Sequence, residues 1–350
     1  MAEKFEYKQF KDININDDFF DSLKSDYSEF EDWFHRKSND YAYIQTNNEK
    51  IEGFLYLKVE DYPIEDVVPE IICDKAVKIG TMKIKPHGTR LGERFIKKSL
   101  DYAIKKDISH IYVTVFEKHE ALIRLYEKYG FKLHGEKTSS NGTERVYVRN
   151  LDEICEEELL NYPKIDINSD TYLMSIYPEY HTRLFPDSIL NTENFDIVKD
   201  VSHTNSIEKI YICKMRDASV LKKGDNIIMY RTGDGQGPAL FRAVATSICV
   251  VEDVKRCREF ATFDDYKYYC KNYSIFSDEE LKGFYYDPKS NLITIKMSYN
   301  VSLTKRIIRK KLIEEIGMSQ NAYWGFFKVT KSQLEKVLEQ GMVNTSYLID

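Results

Sequence analysis

The stretch KIGTMKIKPHGTRLGERFIKKSLDYA, residues 78–103, constrains this chain more than any other. An apolar, β-prone run ends at Lys85, a loop with Gly88 and Gly92 follows, and a helical period begins almost at once. Phe95, Ile96, Leu100, Tyr102, Ala103 and Ile104 recur at the spacing of one helix face. A strand running into a helix through so short a loop predicts an α/β layout. It also predicts an exposed helix start, where the first N–H groups lack internal partners and the dipole adds partial positive charge. Glycines would let an anion approach the backbone, and Lys85, His87 and Arg90 would add cationic or potentially cationic side chains. A plain tight turn would use the same residues, so the loop alone identifies nothing.

The surrounding elements extend the pattern. FEYKQFK (5–11) reads as a strand, 17–37 as one or two helices, and YAYIQTNN (41–48) with IEGFLYLKVE (51–60) as a hairpin. HIYVTVF (110–116) is an apolar strand and HEALIRLYEKYG (119–130) a helix closed by glycine. FKLHGEK and RVYVRNL flank an SSNGT turn. Beyond an acidic stretch, LDEICEEELLNY (151–162), the chain turns β-rich. TYLMSIYP (171–178), IEKIYICKM (207–215), DNIIMYRT (225–232), ALFRAVATSICVVEDV (239–254) and LITIKMSYNV (292–301) read as strands. GDGQGP reads as a hairpin turn between two of them. TFDDYKYYCKN, LTKRIIRKKLIEEIG and SQLEKVLEQG (332–341) read as helices. With 350 residues, about two domains are expected: 1–151, an acidic linker at 152–170, and 171–350.

Composition narrows the function classes. Net charge is −6, and the six cysteines form no C-x-x-C pair or Cys/His cluster, so no metal site is expected. The thiols read as reduced and mostly buried. MAEKFEYKQF has no signal-peptide core, and no apolar run is long enough for a membrane span, so the expectation is a cytoplasmic protein without membrane contact.

The loop and the helix at 119–131 together resemble the GNAT family (Gcn5-related N-acetyltransferases). HGTRLG (87–92) lies where that family carries Q/R-x-x-G-x-G/A, with His87 at the Gln/Arg position, Arg90 at the first glycine and Gly92 at the last small residue. HEALIRLYEKYGF (119–131) is similar to N-x-x-A-x-x-L-Y-x-K-x-G-F. Leu125, Tyr126, Lys128, Gly130 and Phe131 match, whereas His119 replaces Asn and Leu122 replaces Ala. The resemblance covers roughly 1–151. It implies a GNAT fold with a mixed central sheet, and direct transfer from acetyl-CoA to an acceptor amine. Backbone groups at Met82, Lys83 and Ile84 would pair with the pantetheine amides. Gly88, Thr89, Arg90, Leu91, Gly92 and Glu93, with His87 and His119, would hold the rest of the cofactor. Tyr126 would protonate the leaving thiolate; a half-buried helix tyrosine with a local hydrogen bond is the alternative, and the matching L-Y-x-K-x-G-F context favours catalysis. Glu52, Glu60, Glu117, His119 and Glu120 are candidate general bases, and none stands out.

YLMSIYPEYHTRLFPD (172–187) and the strands after it resemble PUA-like domains of the ASCH/EVE group, which implies a β-rich barrel with helices and RNA, or an RNA-associated protein, as partner. Tyr177, Tyr180, His181 and Arg183 offer stacking faces and a cation, and Lys305, Arg306, Arg309, Lys310 and Lys311 form a basic helix face. An ordinary core cluster and a solvated charged face explain the same residues. Two readings follow: an N-acetyltransferase with an RNA-directed second domain, or a non-catalytic acyl-CoA sensor that binds nucleic acid.

Overall fold

A computed structural model describes residues 3–64, 66–86, 88–188, 190, 201–287 and 291–349. Its internal contacts divide the chain into two units, Met1–Asn161 and Tyr162–Asp350.

The first unit runs β1 (Glu3–Gln9), α1 (Asp21–Asp26), α2 (Phe30–Arg36), β2 (Tyr41–Asn47), β3 (Lys50–Asp61), β4 (Lys75–Ile84), α3 (Leu91–Lys105), β5 (His110–Val115), α4 (Glu120–Lys128), β6 (Lys132–Ser139), β7 (Gly142–Asn150) and α5 (Glu158–Asn161). The strands form one mixed sheet in the order β1-β2-β3-β4-β5-β7-β6, with β4 and β5 its parallel pair. The aromatic excess at the N-terminus is core: Phe10, Phe20, Phe34, Phe54 and Tyr56 interlock edge-to-face between the sheet and α2. Residues 152–161 bond back onto this unit. The wholly buried Arg149 donates to the carbonyls of Asn150 (2.8 Å) and Leu160 (2.6 Å), and the Asn161 side chain bonds both backbone groups of Cys155.

The second unit contains β8 (Ile165–Asp166), β9 (Thr171–Ile176), α6 (Pro178–Leu184), α7 (Ser202–Asn205), β10 (Glu208–Cys213), β11 (Asn226–Arg231), α8 (Ala239–Arg242), β12 (Val244–Arg256), α9 (Phe263–Cys270), α10 (Asp278–Tyr286), β13 (Ile293–Ile308), α11 (Arg309–Glu314), β14 (Phe326–Val329), α12 (Lys331–Gln340) and β15 (Leu348–Ile349). Six strands pair in the order β10-β13-β12-β11-β9-β14, and β15 pairs with β8. Among the described residues the end strands β10 and β14 do not pair, so the β-rich sheet is open. Tyr162 belongs here, its hydroxyl donating to the Tyr299 carbonyl at 3.0 Å.

Two sequence expectations fail in this unit. The run 303–317 is not one helix: Leu303–Ile308 finish β13, and only Arg309–Glu314 are helical. Leu303, Ile307, Ile308 and Leu312 have spacing that suits either structure, and pairing of Ile307 and Ile308 with Ala245 and Val244 decides for the strand. Lys305 and Arg306 therefore lie on a strand. GDGQGP is not a tight hairpin turn either, because α8 intervenes before β12, and residues 239–242 of the expected strand are helical. No helix among the described residues is long and apolar enough to cross a membrane, and none of their His, Cys, Asp and Glu side chains cluster as a metal site.

Candidate functional site

The parallel strands of the first sheet part company partway along. β4 pairs with β5 from Ala76 to Ile79, and no pair follows. At that point β4 carries a register irregularity against β3: Leu57 faces Ile79 and Tyr56 faces Thr81, leaving Gly80 unopposed. A bulge bends its strand and increases local twist. Met82, Lys83 and Ile84 therefore pair with β3 on one side only, and their other edge is open to a ligand with amide groups.

The loop after β4 delivers α3 to the same place. Gly88 has φ +80°, and an added Cβ there would meet nothing within 4 Å. Arg90 has φ 57°, a left-handed conformation that costs a side chain ~1 kcal/mol or more. The resemblance puts a glycine at this position, and the geometry supplies the reason. The Arg90 guanidinium pairs with the buried Glu93 carboxylate at 2.6 Å, and Lys128 of α4 reaches the same oxygen at 3.3 Å. Arg90 was a candidate phosphate ligand; here its charge is engaged by Glu93. Gly92 works by close approach: an added Cβ would lie 2.6 Å from the Leu125 side chain and 3.2 Å from that of Ile84. It lets α3 seat against α4 and β4. Thr89 is half-buried and Leu91 buried in this turn, while His87 lies outside the described residues.

Tyr126 of α4 is fully buried, and its hydroxyl donates to the Met82 thioether at 3.4 Å. Thioether sulfur is a weak acceptor, so this phenol gives up little by turning to a better one. Burial drives its pKa well above the ordinary phenol value, and it stays protonated at neutral pH. The two residues assigned to opposite ends of the expected chemistry, on β4 and α4, are thus in direct contact. His119 precedes α4, partly exposed, with Nε2 3.7 Å from Asp26. Glu117 is bonded to Arg145, Glu120 to Arg124 at 3.1 Å, and Glu52 accepts from Asn47 at 3.4 Å. Glu60 accepts from Tyr112 and Lys58; burial pushes its carboxyl up, but the lysines and phenol outweigh this and hold it below the usual range. Lys78 lies 3.9 Å from Glu60, and burial lowers its pKa to about 8. The sequence reading missed this lysine, because one charge in an alternating strand looks solvated.

In the second unit His181 and Arg306 enter one buried polar network. His181 Nε2 lies 2.9 Å from Thr246 Oγ1, and Ser188 Oγ lies 2.7 Å from Tyr299 Oη and 3.2 Å from Ser302 Oγ. Ser302 and Arg306 both donate to the Asp187 carbonyl, at 2.9 and 3.0 Å. The remaining candidates are elsewhere. Tyr177 is exposed, Tyr180 packs on Phe276, Arg183 donates to the Ile275 carbonyl, Lys305 is exposed, and Arg309 stacks on Trp324 at 4.4 Å. Thr246 and Ser247 escaped the sequence reading, although two hydroxyls inside AVATSICVV were a usable signal. A surface recess lined by Arg256, Cys257, Arg258, Glu259, Asn291 and Leu292 shares no residue with either cluster.

With this geometry in place, comparison with known proteins bears on the first unit. Residues 7–131, within the first unit, match the model of the acetyltransferase (GNAT) family. No curated protein matches the chain. Among solved structures, Ard1 from Thermoplasma volcanium is 16% identical, with 44% of this chain and 100% of that one covered and a TM-score of 0.33. An N-acetyltransferase from Staphylococcus aureus is 14% identical, at 43% and 99% coverage and TM-score 0.33. A mutant ASCH protein from Zymomonas mobilis is 9% identical, at 48% and 94% coverage and TM-score 0.33. Likenesses of this size add no weight to any assignment.

Proposed function

We propose that the first unit transfers an acetyl group from acetyl-CoA directly to an acceptor amine, and that the second unit recognises RNA or an RNA-associated substrate. One observation carries the first part: the Tyr126 hydroxyl meets Met82 on the strand that parts from its parallel neighbour. The residues present fit the cofactor. The open edge at Met82, Lys83 and Ile84 suits amides, and Gly88, shortly before α3, has open space where a Cβ would lie. When bound, acetyl-CoA supplies the activated acetyl thioester. The chain's own contribution is to orient it along β4 and to hold a proton on Tyr126 Oη, a neutral phenol in a dry setting. Calorimetry with acetyl-CoA, followed by thiol release with cellular RNA and protein as acceptor pools, tests this reading. Binding with release supports it, and absence of binding overturns it.

The second reading, an acyl-CoA sensor, is favoured by the Arg90–Glu93 pair where the family's loop carries glycine. Binding without release in every acceptor pool would select it. For the RNA part, electrophoretic shifts across a salt series should weaken steeply as salt rises. No shift at low salt would remove RNA as a partner.

A further inference from the structure

The sheet of the first unit ends on an open strand. β1 pairs with β2 along one side, and among the described residues no strand pairs with its other side. An unpaired edge presents a row of N–H and C=O groups that a further strand can join. Edges are commonly blunted by proline, by a bulge or by charges that repel a newcomer. β1, EKFEYKQ, contains no proline, and it pairs with β2 from Glu3 to Gln9 without a register shift.

Its two faces differ. Phe5 and Tyr7 lie on the face that meets α3, where Phe5 is 6.1 Å from Phe95 and the Arg94 guanidinium caps its ring at 3.9 Å. Tyr7 continues the aromatic row. It stacks on Tyr41 at 5.1 Å and lies 4.6 Å from Tyr43, its direct partner on β2. Although central in its strand, Tyr7 is 53% exposed, so the row reaches the edge of the sheet uncovered. Successive residues of a strand point to opposite faces, so Glu6 and Lys8 project to the other side. There they form an ion pair at 3.0 Å, and both remain half-exposed.

A strand that joins this edge must cover Tyr7 with apolar surface and meet an acid and a base two residues apart. A second copy of β1 does both. Set antiparallel about a two-fold axis at Tyr7, the strands place Tyr7 against Tyr7, Glu6 against Lys8, Lys8 against Glu6 and Phe5 against Gln9. A centre at Glu6 would oppose the two glutamates and set Lys4 against Lys8. A centre at Phe5 would match Lys4 with Glu6 but leave Tyr7 opposite Glu3, without an aromatic partner. The charges that would repel many strands are therefore their own complement in one register. We propose that two copies of this chain associate through β1, antiparallel about Tyr7, joining their seven-stranded sheets into one. So short a pairing makes a small contact, and the dimer should be concentration-dependent.

Sedimentation of the full chain from about 1 μM to about 1 mM, the range of weak specific affinities, should show a monomer–dimer equilibrium. Glu6→Lys should weaken it about tenfold, because a lysine then faces Lys8 at both symmetric positions. Lys8→Glu should act alike. The double variant Glu6→Lys with Lys8→Glu restores the alternation and should recover the association to within about threefold. Both side chains lie outside the core, and the thermal unfolding of each variant checks that the fold is intact. A monomer throughout the range overturns the proposal. A dimer that ignores both single changes forms elsewhere and overturns it equally. Weakening without recovery in the double variant means that the strands do not meet about Tyr7, and overturns it as well.

Discussion

One buried cluster in each unit shows a different way of holding charge. In the first, Glu93 lies at the start of α3, where a helix favours an acid, and Arg90 and Lys128 converge on it. Arg90, Glu93 and Lys128 satisfy one another's charge, and the group proposed for the chemistry is a neutral phenol. In the second, His181 and the half-buried Arg306 are held by hydroxyls and carbonyls, and among the described residues no acid forms an ion pair with the guanidinium. An ion-paired set fixes its groups by charge, whereas a guanidinium held by carbonyls and hydroxyls is fixed by dipoles.

Several variants would break or sharpen that contrast. The largest effect is expected from Tyr126→Phe, which should lower acetyl transfer by about 10²-fold or more, the usual worth of a positioned acid, while leaving acetyl-CoA affinity within about twofold. Unchanged turnover in a thiol-release assay would remove the phenol from the mechanism. Gly92→Ala should destabilise the first unit by about 1–3 kcal/mol, because the new methyl meets Leu125 at 2.6 Å; denaturant unfolding of the full chain reads this as an earlier first transition.

The pH response should separate the units. His181 has a folded pKa of about 3 against 6.5 for the free side chain, so between those values the unfolded chain binds a proton that the folded chain refuses. Stability from this group is full above about pH 6.5 and is lost as pH falls toward 3, by about 1.4 kcal/mol per pH unit. His203, lowered to about 4 chiefly by burial, acts in the same direction. His181→Asn should flatten the acid limb of the second unit's melting curve, and an unchanged slope would contradict the buried neutral imidazole. The smallest effect is Gly88→Ala: at φ +80° in open space it should cost about 1 kcal/mol of strain, seen as weaker acetyl-CoA binding with little change in turnover at saturation.

The first unit was legible in the sequence because its signals are local. Each strand, helix and turn of 75–150 falls within a short window with its own period, and Gly130 closes α4 as its position suggests. What escaped there was the partner of each charge. That Arg90 faces Glu93 and Lys128, a turn and a helix away, depends on how α3 and α4 meet. In the second unit the signals are non-local. Lys305 and Arg306 read as helix because four apolar residues fit that period, but pairing with β12 across more than fifty residues of chain overrides it. The convergence of His181, Thr246 and Arg306 comes from three elements far apart in sequence, and no spacing could announce it.

Arg149 has a practical consequence. Its guanidinium is wholly buried and ends on the Leu160 carbonyl, whereas Tyr162, two residues later, is fastened to Tyr299. Anyone dividing the gene has almost no latitude. Truncation after residue 151 would remove one of the two carbonyls that hold a desolvated cation, and a start later than Tyr162 would strip the other piece of a core hydroxyl anchor. A cut between Asn161 and Tyr162 keeps both of these contacts within their own halves, and grafting either half onto another protein should begin there.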